Sequence, residues 1–337
     1  MSAQLRDLVA GFKGKRVLVL GDMVADEYWF GEPTGRVSRE APIPIFRELS
    51  REVRPGGATN LAYNARTLGA EVYLAGVTGD DASGHILRQM LAAQGLHVDG
   101  LVVAEGRPTY TKVRIVAGSS QEMPQQVARI DRFADGQLDA SVTARISDYA
   151  RDQLPRIDAL LFSDYEIAGD RNGVISQRII DACLPDAAAR GVVTCADSHG
   201  DLLRFRGVTV ATPNQPEAEA SLHRRFETLA DLETAGQELL RAMQARCVLV
   251  TRGSAGMSLF DADGGIHHLP VSNLTEVRDV TGAGDTVAAA FVLGLLAGGS
   301  MLQAAQLGNV AAGLVVRKVG AATTTPQELL AALAELP

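Results

Sequence analysis

One segment combines the residue types that handle phosphoryl groups. It runs from Asp279 to Thr286 and leads directly into an apolar helical stretch. Glycines let successive N–H groups point the same way, and a helix N-terminus adds its positive dipole end, so Gly282, Ala283 and Gly284 can form an anion hole. Asp285, beside that hole, suits a base that accepts the proton of a substrate hydroxyl during phosphoryl transfer. A tight turn with Asp285 as a helix-capping acid explains the same spacing.

Polar residues also follow two strand-like runs. Asn214 and Glu217 are three residues apart, so both project from one helical turn, where they could hold a hydrated Mg²⁺ ion. The same spacing is that of an N-cap residue and its capping-box glutamate. Thr251 and Gly253 end a further strand and could contact a nucleotide or simply turn the chain.

Two aspartates lie just after the first strand-like run. Open α/β sheets bind ligands outside the carboxyl ends of their strands, and the carboxylates of Asp22 and Asp26 suit the hydroxyls of a polyol. A solvated loop is the alternative. The segment Pro55 to Asn60 opens a helix, and its glycine pair could admit a ligand close to the backbone or form an ordinary turn.

Other chemistries lack their sequence patterns. No G-x-G-x-x-G follows the first strand, and neither a G-x-x-x-x-G-K-[ST] loop, an H-E-x-x-H pair nor a G-x-S-x-G elbow is present. The three cysteines lie in apolar runs, which indicates buried, reduced thiols. These absences argue against a Rossmann dehydrogenase, a P-loop enzyme, a zinc protease and an α/β-hydrolase.

Composition narrows the class of protein further. The 337 residues are 46% hydrophobic and 21% charged, which is typical of a globular chain with a sizeable core. The net charge of −8 disfavours nucleic-acid binding. The N-terminus lacks the order of a signal peptide, and the longest apolar run, 287–297, is too short to span a membrane. We therefore expect a cytoplasmic protein without a membrane partner.

The elements that must position these residues alternate in type. Short apolar, β-branched runs are typical of strands covered on both faces, and amphipathic helical stretches lie between them. The strand runs are 16–20, 71–75, 159–162, 192–195, 208–211 and 247–250, and the helical stretches are 57–68, 83–94, 172–189 and 229–244. This order predicts an α/β fold with a doubly wound, mostly parallel sheet and helices on both faces. Beyond Thr286 the chain should be almost wholly helical.

Two regions interrupt the alternation. Residues 24–53 hold aromatic and β-branched residues among prolines, and residues 98–132 alternate polar and apolar side chains. We interpret both as one small β-sheet lid beside the main body, within a single domain that covers 1–337.

With these motifs in view, the chain resembles the ribokinase-like (PfkB-type) carbohydrate kinases over nearly its whole length. The 279–286 segment is similar to the C-terminal signature of that family, and Gly56, Gly57 and Asn60 are similar to its N-terminal one. Within the family, the segments 19–31, 36–44 and 54–60 are similar to D-glycero-D-manno-heptose-7-phosphate kinases.

The resemblance implies a role for each matching position. Asp285 would be the catalytic base and Gly282 to Gly284 the anion hole. The sugar pocket would be lined by Asp22, Asp26, Gly57, Asn60, Lys112 and Arg129. The residues towards ATP and Mg²⁺ would be Asn214, Glu217, Thr251, Gly253 and Asn309, with Glu217 reaching the metal through water.

The resemblance also implies partners and a substrate. The cofactors would be ATP, Mg²⁺ and a K⁺ ion near residues 279–281, and the chain would form a homodimer through its lid. The substrate would be heptose 7-phosphate, phosphorylated at O1 on the route to ADP-heptose. No nucleotidyltransferase domain is expected in this chain.

Two departures keep other substrates open. The heptose kinases carry a lysine in each of two segments where this chain has Glu166 to Gly169 and Asp197-Ser198-His199-Gly200. The loss of both cations favours a kinase of a different, unphosphorylated sugar or nucleoside. A non-catalytic sugar or nucleotide sensor is the third alternative, and a base at Asp285 argues against it.

Overall fold

A nine-stranded sheet forms the centre of the computed structural model, which describes residues 2–118, 125–165, 173–272 and 277–335. The strand order is β13-β12-β11-β10-β9-β8-β1-β4-β5, parallel except for the antiparallel β11–β12–β13 edge. These strands are β1 Arg16–Gly21, β4 Glu71–Gly79, β5 His97–Ala104, β8 Ala159–Asp164, β9 Val193–Ser198, β10 Val210–Ala211, β11 Cys247–Thr251, β12 Met257–Asp261 and β13 Ile266–Leu269.

Helices cover both faces of this sheet. On β1, Val17 and Val19 point into one apolar core while Leu18 and Leu20 point into the other. The side chains of α1, α2, α3, α8, α9 and α10 fill the first core, and those of α4, α5, α6 and α7 fill the second. The helices are α1 Ser2–Ala10, α2 Ala58–Thr67, α3 Ala82–Ala93, α4 Ala140–Gln153, α5 Gln177–Ala189, α6 Gln215–Ser221, α7 Leu229–Met243, α8 Ala283–Leu296, α9 Met301–Val315 and α10 Pro326–Glu335. The predicted doubly wound fold and the helical C-terminal part are confirmed.

A second sheet forms the lid. It has four strands in the order β3-β2-β6-β7, namely β2 Met23–Val37, β3 Pro44–Gly57, β6 Tyr110–Ala117 and β7 Gln125–Arg132. Two of the lid's connections to the main body are direct, because β2 follows β1 after Asp22 alone and β3 runs directly into α2. A few junction residues therefore connect the site residues on the lid to those on the large sheet.

The predicted extent of the lid is wrong at one end. Residues 98–104 belong to β5, which pairs in parallel with β4 at the edge of the large sheet. The cause is physical, since an edge strand with one wet face shows the same polar–apolar alternation as a lid strand. The segment Glu166 to Gly169, which carries one of the two lysine departures, lies outside the described residues.

No helix within the four described ranges is long and apolar enough to cross a membrane.

Candidate active site

The predicted anion hole lies at the start of α8. Gly282 is its N-cap residue in the left-handed conformation, with φ 75°, and no side chain caps this N-terminus. The amide of Ala283 donates to the carbonyl of Val280, so one of the three predicted donors is already used within the turn. Gly282, Ala283 and Gly284 all line a cavity of about 880 Å³. The uncapped helix start therefore faces a space large enough for a ligand.

Asp285 is buried at this helix start with one oxygen bound and one left over. Its Oδ2 accepts a hydrogen bond from Asn60 Nδ2 at 2.5 Å and lies 3.4 Å from the hydroxyl of Tyr165. Its Oδ1 is buried without a partner among the described residues. Burial raises the pKa of Asp285 to about 6. A carboxylate that caps no helix and keeps one lone acceptor suits a base, so the capping interpretation is not supported.

Residues of α2 hold Asp285 in place. Asn60 lies on α2, and Asn64, one turn later, accepts a hydrogen bond from the Thr286 hydroxyl at 2.7 Å. A Cβ at residue 282 would overlap the side-chain amide of Asn60. Glycine is therefore required at 282 both for its backbone angle and for the close approach of α2.

The large cavity collects the residues predicted to face a nucleotide. Asn214, Glu217, Thr251, Gly253 and Asn309 come from separate parts of the chain, and all five line it together with Asp285. Asn214, Glu217, Thr251 and Gly253 lie at or after the ends of parallel strands at one edge of the sheet, as the open-sheet rule predicts, and α9 brings Asn309 to them.

Asn214 and Glu217 make the capping box that was the alternative to a metal site. Asn214 Oδ1 accepts from the Glu217 amide at 2.9 Å, and Glu217 Oε2 accepts from the Asn214 amide at 2.8 Å. The other oxygen of Glu217 lies 2.5 Å from His199 Nδ1. Both oxygens of Glu217 are therefore engaged by protein groups, which leaves a metal ion to be reached through water.

His199 is the only basic side chain among the described residues that line the cavity. Burial lowers its pKa, but the hydrogen bond and charge of Glu217 outweigh burial and raise it. Burial and the charges of Asp285 and Glu217 raise the pKa of Asp197, which also lines the cavity. The raised pKa of Asp197 favours its neutral form, so the charges of the site are those of Glu217, Asp285 and the His199 imidazolium. The composition of the Asp-Ser-His-Gly segment alone did not show the pairing of His199 with Glu217.

Four of the predicted sugar-binding residues lie on the lid strands, and one of them, Arg129, is exposed. Asp26 is buried on β2, where Arg114 Nη1 approaches its Oδ1 to 2.8 Å. Lys112 Nζ lies 4.9 Å from the centre of the Tyr165 ring, and burial lowers the pKa of this lysine. Arg129 on β7 pairs with Asp131 at 2.6 Å. Gly57 ends β3 with φ 56°, at the junction to α2.

Arg114 and Tyr165 are two site residues that the sequence motifs do not predict. Arg114 follows Lys112 by two residues on one strand, so both side chains share a face of the lid. The two-residue spacing of Lys112 and Arg114 can be seen in the sequence. Tyr165 reaches Asp285 only because β8 ends beside α8 in space, for which the sequence carries no local signal.

Asp22 differs from the other predicted sugar ligands. Its side chain is 1% exposed and lines a small separate cavity with Arg107 and Tyr110 rather than the large one. Both of its oxygens accept main-chain N–H groups, from Val174 at 2.6 Å and from Tyr165 at 3.0 Å. Burial and the neighbouring Asp164 raise the pKa of Asp22 to about 6.

The main body is a doubly wound sheet under a four-stranded lid. Between them, a glycine-rich helix start carries a carboxylate with one oxygen unbonded. This arrangement defines a ribokinase-like kinase. The chain belongs to the pfkB family of carbohydrate kinases, which it matches over residues 15–328. It is a phosphotransferase whose acceptor is a sugar hydroxyl.

Comparison with known proteins agrees with this class. The chain is similar to "Bifunctional protein HldE" of Geobacter metallireducens, at 38% identity over 330 residues that make up 98% of this chain and 65% of the relative. It spans about two thirds of the length of the curated relatives it matches.

Solved structures show the same fold. Ribokinase of Arabidopsis thaliana, complexed with ribose and ATP, superposes with a TM-score of 0.72 at 20% identity and covers 95% of this chain and 99% of its own. Phosphofructokinase-2 of Escherichia coli, in complex with potassium, gives 0.73 at 19% identity and covers 96% and 98%.

Proposed function

We propose that this kinase transfers the γ-phosphoryl group of ATP to O1 of D-glycero-β-D-manno-heptose 7-phosphate. The observation that carries the proposal is the free Oδ1 of Asp285 beside the uncapped start of α8, between the large cavity and the lid. The resemblance of the opening segments to heptose-7-phosphate kinases and the 38% identity to HldE support the choice of sugar.

The proposed chemistry assigns one step to each group. The acceptor hydroxyl donates its hydrogen bond to Asp285 Oδ1, and Asp285 takes the proton as the hydroxyl oxygen bonds to the γ-phosphorus. The bond from that phosphorus to the β–γ bridging oxygen breaks, and ADP leaves with the electron pair. The α8 N-terminus stabilises negative charge on the transferred group through its amides and dipole.

The nucleotide would lie in the large cavity, with Asn214, Thr251, Gly253 and Asn309 along its walls. Three carboxyl groups, those of Asp197, Glu217 and Asp285, line this cavity with a single imidazole among the described residues, and the raised pKa of Asp197 favours its neutral form. A polyphosphate there needs extra positive charge, which bound Mg²⁺ supplies by neutralising phosphate oxygens. No group of three acidic or histidine ligands occurs within the described ranges, which fits an ion held by phosphates and water.

We extend the proposal to a K⁺ ion near residues 279–281. The two oxygens of Asp279 accept the amides of Thr281 at 2.9 Å and Gly320 at 2.8 Å, so they order this loop. Cation ligands here would be main-chain carbonyls. Turnover measured in K⁺ and in Na⁺ buffers tests the assignment.

One cation on the lid strands favours a phosphorylated sugar. Lys112, Arg114 and Arg129 lie close enough to Asp26 to interact with its charge, against the carboxylates of Asp26 and Asp131. Because Arg114 pairs with Asp26 and Arg129 with Asp131, Lys112 is the member of this group that suits an anionic substrate group. His199 in place of a lysine supports the second candidate, a kinase of an unphosphorylated sugar or nucleoside.

A substrate panel separates the two candidates. Release of ADP is measured with heptose 7-phosphate, the unphosphorylated heptose, ribose, fructose 6-phosphate and adenosine. Turnover with heptose 7-phosphate at the highest kcat/KM supports the first candidate. No turnover with it, but turnover with an uncharged acceptor, selects the second.

We expect Lys112→Gln to raise the KM for heptose 7-phosphate by about 10-fold, because an ionic hydrogen bond to phosphate contributes about 1.5–3 kcal/mol. The KM for ATP should not change. Arg47→Gln is the control, since Arg47 is a lid cation whose partner is the exposed Glu32. An equal rise in both variants would argue against a phosphate contact at Lys112.

We expect kcat/KM to fall below about pH 6 with a slope of one. The active form of Asp285 is the carboxylate, and its pKa is raised from 3.8 to about 6, so activity is complete above that pH and is lost as pH falls through it. A pH–rate profile from pH 5 to 8 measures the limb. Full activity at pH 5 would contradict the assignment of this base.

We propose that the lid forms a homodimer interface. Large apolar side chains are exposed across it, at Val37, Ile43, Ile45, Leu49, Val127 and Ile130. Such a patch is typical of an interaction surface. We expect light scattering to give twice the chain mass of 35.6 kDa.

Ile130→Glu should reduce that mass to one chain, because it places a charge in the apolar patch. Ile86→Glu is the control, since Ile86 is a similarly exposed apolar residue on α3, outside the lid. A monomeric parent protein, or equal effects of both variants, would reject the lid interface.

A further inference from the structure

Asp22 occupies the single residue between β1 and β2, where the large sheet passes into the lid. Its two carboxylate oxygens accept the amides of Tyr165 and Val174, which lie 143 and 152 residues away along the chain. The side chain of Asp22 is 1% exposed and both of its oxygens are bonded. Neither oxygen faces the large cavity. Its contacts point to a role inside the protein.

One of those contacts leads to the base. Tyr165, whose amide Asp22 holds, places its hydroxyl 3.4 Å from Asp285 Oδ2. Burial and the charge of Asp285 raise the pKa of this phenol, so it stays protonated and can donate. The position of that donor therefore depends on the main chain that Asp22 fixes.

The main chain of Asp22 holds the second donor. Its carbonyl accepts the amide of Ala58 at 3.0 Å, and its amide donates to the carbonyl of Ser163 at 3.2 Å. Ala58 is the first residue of α2, and Asn60, two residues on, donates to Asp285. The Asn60 donor is thus anchored by the main chain of residue 22 and the Tyr165 donor by its side chain, so only the second depends on an aspartate at this position.

The carboxylate of Asp22 uses a different oxygen for each N–H group, so both of its terminal atoms must be acceptors. An asparagine has the same shape, but its amide NH₂ would meet one of the two main-chain N–H groups and leave it unsatisfied. The neighbouring carboxylate of Asp164 does not replace Asp22 as the acceptor of these two amides. Asp164 is occupied by Ser198 at 2.8 Å and Arg204 at 3.3 Å.

We propose that Asp22 is a positioning residue, whose carboxylate fixes the main chain at Tyr165 and so aligns the Tyr165 hydroxyl on Asp285, and that it does not bind the sugar. The proposal rests on the proposed role of Asp285 as the base. It replaces the expectation that Asp22 is a sugar ligand, and it assigns Tyr165 to the hydrogen-bonding shell of the base.

A double-mutant cycle tests the proposal with Asp22→Asn, Tyr165→Phe and the double variant. We expect each single change to lower kcat about 10-fold with the sugar KM within about 2-fold, because an orienting hydrogen bond of about 1–1.5 kcal/mol is lost. The double variant should lose little more, because both changes break one chain of contacts. Additive losses, or a sugar KM that rises while kcat holds, would overturn the proposal.

Tyr165→Phe also decides the case if Asp22→Asn does not fold. It removes one hydroxyl, and an unchanged kcat in this variant would overturn the proposal by itself. The assay uses heptose 7-phosphate, or the best acceptor of the panel.

Amide exchange supplies a readout that needs no turnover. We expect Asp22→Asn to speed hydrogen exchange at the amides of Tyr165 and Val174, and Tyr165→Phe to leave Val174 unchanged. Unaltered exchange in Asp22→Asn would overturn the proposal. A parent enzyme that phosphorylates nothing in the panel would reject the proposed function, while the exchange result still decides whether Asp22 holds these amides.

Discussion

Asp285→Asn should lower kcat by about 10²–10⁴-fold, the usual contribution of a positioned proton acceptor. The carboxamide keeps the shape of the side chain and an oxygen for Asn60, but it cannot take the proton of the acceptor hydroxyl. The Kd of a non-hydrolysable ATP analogue should stay close to that of the parent, because the cavity walls are unchanged. Coupled ADP release and calorimetry measure the two quantities.

The controls for Asp285→Asn address charge and folding. Asp181→Asn makes the same change on the exposed side of α5, where the carboxylate contacts Gln177, and should leave kcat unaltered. The Tm of Asp285→Asn at pH 7 should be no lower than that of the parent, because a buried carboxylate whose pKa is raised to about 6 carries an energetic cost when ionised. A variant with parental kcat would remove Asp285 from the mechanism.

Gly282→Ala should lower kcat by about 10²-fold, the loss that follows from displacing a reacting group by about 1 Å. The added methyl group would overlap the side-chain amide of Asn60, which donates to Asp285 at 2.5 Å. Asn60 must then move, and the base loses its orientation. Steady-state kinetics measure the change, with a smaller effect expected on the KM for ATP.

Gly191→Ala separates this contact from backbone strain. Gly191 also has a positive φ, 71° against 75° at Gly282, and a Cβ there meets no atom within 4 Å. Both variants should lose roughly 1 kcal/mol of stability from the left-handed backbone, but only Gly282→Ala should lose activity. Parental kcat in Gly282→Ala would show that the close approach of α2 does not orient the base.

Glu217 serves the cavity wall and the start of α6 at the same time. His199 is held by Glu217 at 2.5 Å, and Glu217 also caps α6 through Asn214. The capping box and the cavity wall are therefore one structure. A change at Glu217 would therefore alter both the charge of His199 in the cavity wall and the stability of α6.

Local pattern was sufficient for much of the fold. The apolar run of β1 predicts a strand covered on both faces, and its residues do alternate between two cores. The Gly282 to Asp285 segment predicts a helix start with a carboxylate in its first turn, which α8 has. These features depend on neighbours within about four residues, and such neighbours can be seen in the sequence.

Tertiary structure alone decided which groups meet at the site. Asn60 and Asp285 are 225 residues apart, and Asp22 and Val174 are 152 apart. Whether Asp22 faces a sugar or the main chain, and whether β5 joins the lid or the large sheet, depends on how distant strands pair. Asp22 and Asp26 follow the same strand and look alike in the sequence. Their roles differ because the role of a carboxylate depends on the hydrogen-bond donors that folding places around it.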